Sequence, residues 1–302
     1  MWIKKGLIYT PDTKLAWQNS HAALPTACLI ADNLYRIYFT SRDKENKTFV
    51  GYFDWEVGSP GRIINKCKEP ILSPGNLGYF DNHGVQVTSV VKHEEKHYLY
   101  YLGWNIGRPA PLFYTSIGLA ISEDGGTSYK KYSIAPIMER SRYDPWMVSG
   151  GTVLKEKSLW RMYYISGISF EFVDGVAQSR YDIKYAESND GIHWERTGVV
   201  ALPLQKQDMN ISRMSIAQED GMYKAWFPVK KKGQGYRVGF ASSVDGVNWK
   251  RQDELIEIDV SEDGWDSEAL DKMEVIVHNG TKYMLYNGNS FGRDGIGLAI
   301  YE

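Results

Sequence analysis

An all-β fold, a five-bladed β-propeller with four-stranded antiparallel blades, is predicted by three features of the sequence. An aromatic-rich strand recurs five times at near-constant spacing. A strand ending in Ser-x-Asp-Gly follows it in the middle repeats. No segment sustains a helical period. The aromatic copies are Tyr35-Arg36-Ile37-Tyr38-Phe39, Tyr98-Leu99-Tyr100-Tyr101-Leu102, Trp160-Arg161-Met162-Tyr163-Tyr164, Tyr223-Lys224-Ala225-Trp226-Phe227 and Tyr283-Met284-Leu285-Tyr286-Asn287. They start at residues 35, 98, 160, 223 and 283, so the steps are 63, 62, 63 and 60. A fixed period of this size marks a repeat architecture. Radially repeated sheets bring equivalent points of each repeat to a common axis.

Each element of the repeat follows in order. A β-rich run comes first, at residues 24–30, 85–91, 148–154, 214–217 and 273–277. Short turns such as Ala31-Asp32-Asn33, Glu219-Asp220-Gly221 and His278-Asn279-Gly280 lead into the aromatic strand. The third strand runs into Ser122-Glu123-Asp124-Gly125, Ser188-Asn189-Asp190-Gly191 and Ser243-Val244-Asp245-Gly246, and in the last two a Trp sits three residues after the Gly. Asp-Gly supplies the positive φ of a tight hairpin. A degenerate third strand, Val50-Gly51-Tyr52-Phe53-Asp54, stands in the first repeat. The last repeat stops after Ile296-Gly297-Leu298-Ala299-Ile300, one strand short, while Trp2-Ile3-Lys4-Lys5-Gly6-Leu7-Ile8-Tyr9 is a spare strand at the start. The N-terminal strand is therefore expected to complete the last blade and to satisfy an edge that would otherwise be open. One domain over residues 1–302 is expected.

Composition narrows the function. The 35 basic and 37 acidic residues leave a net charge of −2. That balance favours neither nucleic acid nor a membrane surface as partner. Lys230-Lys231-Lys232, the one basic cluster, reads as a solvated loop. No apolar stretch approaches a membrane span, and the first residues lack a signal peptide's apolar core, so a cytoplasmic location is expected. Cys28 falls in a strand and reads as a small core residue, with a bridge to Cys67 left open. Most of the 21 Tyr, 10 Trp and 10 Phe belong to the repeat. Trp17, Trp55, Trp104, Trp146 and Trp265 lie outside it and are candidates for stacking on a pyranose ring.

Ionisable residues gather just before the innermost strand of each repeat. They are His21, then Asp81 and His83, then Arg142 and Asp144, then Arg213, then Asp266 and Glu268. Asp81, Asp144 and Glu268 come from three repeats at one phase, and strand alternation would put Asp266 and Glu268 on one face. Converging carboxylates push one another's pKa values apart, as a general acid and base require. The same residues can instead cap turns or pair with an arginine. Arg213, Arg142 and Arg42 can grip an anionic group or simply balance the acids. His21 and His83 can bond a hydroxyl or move a proton. Trp104, Asn105 and Asn287 end aromatic strands within reach of a ligand, although the asparagines can equally serve turns. No metal-ligand spacing is present, and no cofactor is expected.

These features resemble the five-bladed propeller glycosidases of glycoside hydrolase families 43, 32, 68 and 130. Within them the chain resembles uncharacterised glycosidases of bacterial surface-polysaccharide gene clusters. The matching stretches are Lys4 to Tyr9, Ser20-His21-Ala22, Tyr143-Asp144-Pro145, Ile211-Ser212-Arg213, Gly264-Trp265-Asp266-Ser267-Glu268 and Tyr286-Asn287-Gly288-Asn289. The resemblance implies cleavage of a glycosidic bond at a central pocket, with a small carbohydrate or glycoside as substrate. Glu268 would be the general acid and Asp144 the base or nucleophile. Asp81 would orient substrate, and Arg213 would hold an anionic group. Families 43 and 32 carry an Asp where this chain has Ser20 and His21, so an inverting course is expected. A glycosyltransferase or phosphorylase on the same scaffold, and a carbohydrate-binding propeller without catalysis, are the alternatives.

Overall fold

Each aromatic strand lies second, in chain order, in an antiparallel run of strands. The computed structural model describes residues 1–58, 60–107, 112–173 and 175–302. The chain divides into two units, one joining Met1–Ile71 to Met214–Glu302 and the other formed by Leu72–Arg213.

In the first unit, Ser20–Ala31 pairs with Leu34–Arg42, which pairs with Thr48–Glu56, which pairs with Arg62–Lys66. Ser215–Glu219, Met222–Lys231, Tyr236–Ser243 and Lys250–Arg251 follow the same order. Asp271–His278, Thr281–Asn287 and Ile296–Tyr301 form the last group, and Trp2–Tyr9 adds to Ile296–Tyr301 as its fourth strand. The chain's two ends are thereby zipped, with Trp2 opposite Tyr301 and Tyr9 opposite Ile296. This pairing covers the edge that the missing last strand would have left open.

In the second unit, Gly84–His93, Lys96–Ile106, Phe113–Ser122 and Lys130–Lys131 pair in sequence. Val148–Glu156, Leu159–Val173, Val176–Ser188 and Glu195–Leu202 do likewise. The central hairpin of this second sheet is long, with strands of 15 and 13 residues. A short strand, Asp208–Ile211, joins it in parallel through Tyr181 and Asn210.

The aromatic strands are buried on both faces. Tyr38, Phe39, Tyr100, Tyr101, Tyr163, Tyr164 and Phe227 have no exposed surface. A strand so enclosed reads as a continuous apolar run rather than an alternating one. Each ring of this size contributes about 1.5–3 kcal/mol on burial. The Asp-Gly turns form as expected, with Gly125, Gly191 and Gly246 at φ of 72°, 75° and 74°. In each turn the Ser hydroxyl donates to the Asp carboxylate two residues on.

Two sequence expectations fail on burial. Trp17 and Trp55 are enclosed in the apolar core of the first unit, with Tyr9, Phe39 and Phe53, and offer no ring to a sugar. Cys28 and Cys67 are both free thiols. Among the described residues, no helix is long and apolar enough to cross a membrane.

Candidate functional site

Asp81, Asp144 and Asp266 share one arrangement, so Asp266 and not Glu268 is the third member of the common phase. Each accepts a hydrogen bond from a tyrosine hydroxyl 20 residues further on: Tyr101 at 3.2 Å, Tyr164 at 3.1 Å and Tyr286 at 3.0 Å. Each also meets a lysine: Lys131 at 2.6 Å, Lys184 at 3.3 Å and Lys4 at 2.8 Å. The three carboxylates are 1%, 0% and 3% exposed. Burial first, and then the neighbouring carboxylate, raises the pKa of each tyrosine, which stays a neutral donor. The ion-pair alternative left open at the sequence level describes what these carboxylates touch. Asp144 is the most heavily bonded of the three. Ser141 Oγ and Ser166 Oγ donate to it at 2.9 Å, and Arg196 Nη1 at 3.0 Å.

Asp81 leaves its other oxygen, Oδ1, buried without a hydrogen-bond partner among the described residues, and further side chains of the second unit hold buried polar atoms in the same condition. These atoms include Asn82 Oδ1, His83 Nδ1, Asn105 Oδ1, Arg180 Nε, Asp182 Oδ1 and Asn210 Oδ1. Such atoms are rare in folded proteins and costly to bury, at about 1–3 kcal/mol each. Local structure holds them in place. His83 N–H donates to the Trp104 carbonyl at 3.2 Å, and the His83 and Trp104 rings lie 5.8 Å apart. Asn105 spends its amide on the Tyr79 carbonyl at 3.2 Å, which leaves its oxygen free. Arg180 donates Nη2 to the Asp208 carbonyl at 3.2 Å.

Asp182 is the acid of this set, and sequence reasoning passed over it. It is 7% exposed and sits opposite Ser166 in the paired strands. Burial pushes its pKa up to about 6; Lys184 pulls it down, and the negative Asp144 adds to the rise. A carboxyl of that pKa is partly protonated near neutrality and can give or take a proton. The one sequence signal for it was a charged residue, in Tyr181-Asp182-Ile183-Lys184, inside an otherwise regular third strand.

The remaining candidates divide. Arg213 is buried and donates Nη1 to the Thr88 carbonyl at 2.8 Å. Arg142 is exposed, stacks 4.7 Å over the Tyr143 ring and donates to its hydroxyl. Trp104 packs edge-on against Phe113 at 5.4 Å. Trp146, 48% exposed, lines a cleft of about 380 Å³ with Phe113, Tyr114, Arg140, Phe170 and Phe172. This aromatic, partly open cleft is of the size and character that takes a small ligand.

In the first unit, Asp266 and Glu268 do not share a face. Residues 264–268 are a turn rather than a strand, so the alternation expected of them does not apply, and Asp266 is buried while Glu268 is exposed. The Glu268 backbone is nonetheless pinned. Its N–H donates to Asn289 Oδ1 at 2.7 Å, and its carbonyl accepts from Arg237 at 2.8 Å. Asn287 is a clamp with nothing to spare. Its amide donates to the Ala22 and Gly295 carbonyls, both at 2.8 Å, and its oxygen accepts the Leu24 N–H at 2.9 Å. Asn287 thereby ties these three backbone groups together. Trp265 stacks on Tyr286 at 5.1 Å and packs against the core. His21 meets Ser20 Oγ at 2.9 Å, and burial, followed by Arg42 and Lys272, pushes its pKa down to about 4.

No protein-family model matches the chain. The uncharacterised Mycobacterium tuberculosis protein Rv1502 is 36% identical over 302 residues, covering 100% of this chain and 99% of that protein. A glycoside hydrolase structure superposes with a TM-score of 0.77 at 18% identity, over 99% of this chain and 91% of the other. A thermostable family-43 glycoside hydrolase gives a TM-score of 0.68 at 14% identity, over 93% and 89% of the two chains. At these identities the likeness to solved structures is one of fold. The chain has the all-β fold of the propeller glycosidases.

Proposed function

The chain belongs to the family of the Mycobacterium tuberculosis protein Rv1502, and we propose that it is a glycoside hydrolase working by carboxylate acid/base catalysis. The observation that carries this is Asp182, a buried acid with a raised pKa and an unpartnered oxygen. In its unit it is accompanied by neutral polar atoms, on Asn82, His83, Asn105 and Asn210, of the kind that bond sugar hydroxyls. On this proposal the five repeats are the blades of one propeller domain over residues 1–302. The strand pairings and the zipped chain ends support that view.

Asp182 is the proton donor of the proposal. Asp144, held by two cations and three hydroxyls, fixes the electrostatic field around it rather than attacking substrate. Asp81, bonded to Tyr101 and Lys131, orients the neighbouring His83 segment. His83 and Asn105 contact hydroxyls, and Trp104 and Trp146 offer ring faces. In the first unit Glu268 is kept as a catalytic carboxylate, since its side chain is exposed and its backbone held. An inverting course is part of the proposal, because Ser20 and His21 leave the first repeat without a carboxylate nucleophile.

The test is turnover of a panel of aryl and natural glycosides, with the product anomer read by NMR. Asp182→Asn should lower turnover by roughly 10²–10⁴ while the protein still binds product. Wild-type activity should fall as pH rises through about 6, where Asp182 loses its proton. An Asp182→Asn variant of full activity removes Asp182 as donor, and a retained anomer removes the inverting course. Glu268→Gln should cost turnover with no change in melting temperature, the residue being exposed. Unchanged turnover in that variant would reduce Glu268 to a surface residue.

A further inference from the structure

Five residues other than glycine adopt left-handed backbone near His21 in the first unit. They are His21 at φ 63°, Leu24 at 57°, Lys272 at 49°, Ser290 at 52° and Phe291 at 61°. Each such residue costs of order 1–3 kcal/mol, and strain of this kind persists only where the surroundings enforce it. Here the enforcing contacts are explicit. Asn287 clamps Ala22, Leu24 and Gly295. The His21 N–H donates to the Arg293 carbonyl at 3.2 Å, and Ser41 Oγ donates to the His21 carbonyl at 2.7 Å. Lys272 Nζ lies 4.6 Å over the Phe291 ring.

The strained corner is also cationic. Arg42, Lys272 and Arg293 all act on His21, and Arg42 sits opposite Ser20 in the paired strands. Lys272 is paired with Asp271 at 2.6 Å. Neither the Arg42 guanidinium nor that of Arg293 has a hydrogen bond or ion pair among the described residues, and Arg42 is half-buried. A partly buried cation without a counter-ion is unfavourable, in contrast to Arg36, which is paired with Asp54 at 2.7 Å. The His21 imidazole, kept neutral by burial and bonded to Ser20 Oγ and the Ser290 backbone, sits among these cations without adding charge. Three cations and one carboxylate leave two positive charges, the complement of a dianion.

We propose that Arg42, Arg293 and Lys272, gathered around His21, form a binding site for a phosphate dianion. The phosphate is either inorganic phosphate or a phosphoryl group carried by the sugar substrate. Arg42 supplies the planar donor fork that suits phosphate oxygens. The site stands without the glycosidase assignment, because it is read by binding alone.

The full-length protein is titrated calorimetrically with inorganic phosphate and with glucose 1-phosphate, at constant ionic strength and against chloride. Saturable binding is expected, and Arg42→Gln should weaken it roughly ten- to a hundredfold. Arg293→Gln, at an exposed residue, should weaken it too while leaving the fold intact, and so guards against a misfolded Arg42 variant. Tighter binding of the sugar phosphate assigns the phosphoryl group to the substrate. Tighter binding of the inorganic ion, with phosphate-dependent release of a sugar phosphate seen by ³¹P NMR, assigns it to a co-substrate. Wild-type protein that binds neither probe overturns the proposal, as does equal binding by wild type and both variants. Loss of glycosidase activity without loss of phosphate binding would count against the catalytic assignment alone.

Discussion

Ser166 touches two buried aspartates of the second unit that live in opposite circumstances. Its hydroxyl donates to Asp144, and its backbone faces Asp182 across the paired strands. Asp144 has no exposed surface, and donors surround it: two serines, a tyrosine, a lysine and an arginine. Asp182 is nearly as buried but has one oxygen without a partner and a pKa pushed up to about 6. The difference separates two uses of a buried carboxylate. One that is fully bonded locks strands together; one left short of partners stays close to titration and available to a ligand. The first unit repeats the contrast among other groups. Asn287 and Asp266 are spoken for, whereas the Arg42 guanidinium has no described partner.

The comparison can be broken most sharply at Asp144. Asp144→Ala strands Lys184 and Arg196, which are 14% and 18% exposed, and should destabilise the fold by about 3–5 kcal/mol. Urea denaturation measures this. A variant that unfolds like wild type yet loses turnover would make Asp144 a catalytic group and erase the distinction.

The next effect is pH-dependent and belongs to Asp182. Its folded pKa of about 6 lies above the ordinary 3.8 of an aspartate side chain. The group favours the fold while protonated in both states, and that advantage is lost as pH rises from about 4 through 6. A shift of this size corresponds to roughly 3 kcal/mol. Asp182→Asn removes the titration, so the variant should gain stability relative to wild type between those pH values. Parallel pH–stability curves for the two proteins would show that Asp182 is not desolvated as described.

The smallest effect sharpens the comparison from the bonded side. Tyr286→Phe removes one hydrogen bond from Asp266 and leaves Lys4 in place, so a loss of about 1 kcal/mol is expected. A loss of several kcal/mol would mean that the tyrosine, not the lysine, carries the buried charge.

Much of the fold was legible because its signals are local. The aromatic strands, their Asp-Gly hairpins and the unpaired last repeat are written in short stretches, and backbone geometry turns each into the same element wherever it occurs. The gathering of acids before the inner strands was visible too, but the sequence reading gave the shared phase to Asp81, Asp144 and Glu268, whereas the common arrangement with a Tyr 20 residues on belongs to Asp81, Asp144 and Asp266. What those carboxylates do was not visible. Their cations come from elsewhere in the chain: Lys131 is 50 residues from Asp81, while Lys184 and Arg196 are 40 and 52 residues from Asp144. Asp182 carries no motif at all, and Asp266 and Glu268 part company because a turn replaces the expected strand. Sequence periodicity by itself determined the strands and the pairing of the two chain ends. Only the tertiary structure decided which charges are satisfied and which are left able to react, because desolvation and pairing are set by neighbours that folding brings from distant segments.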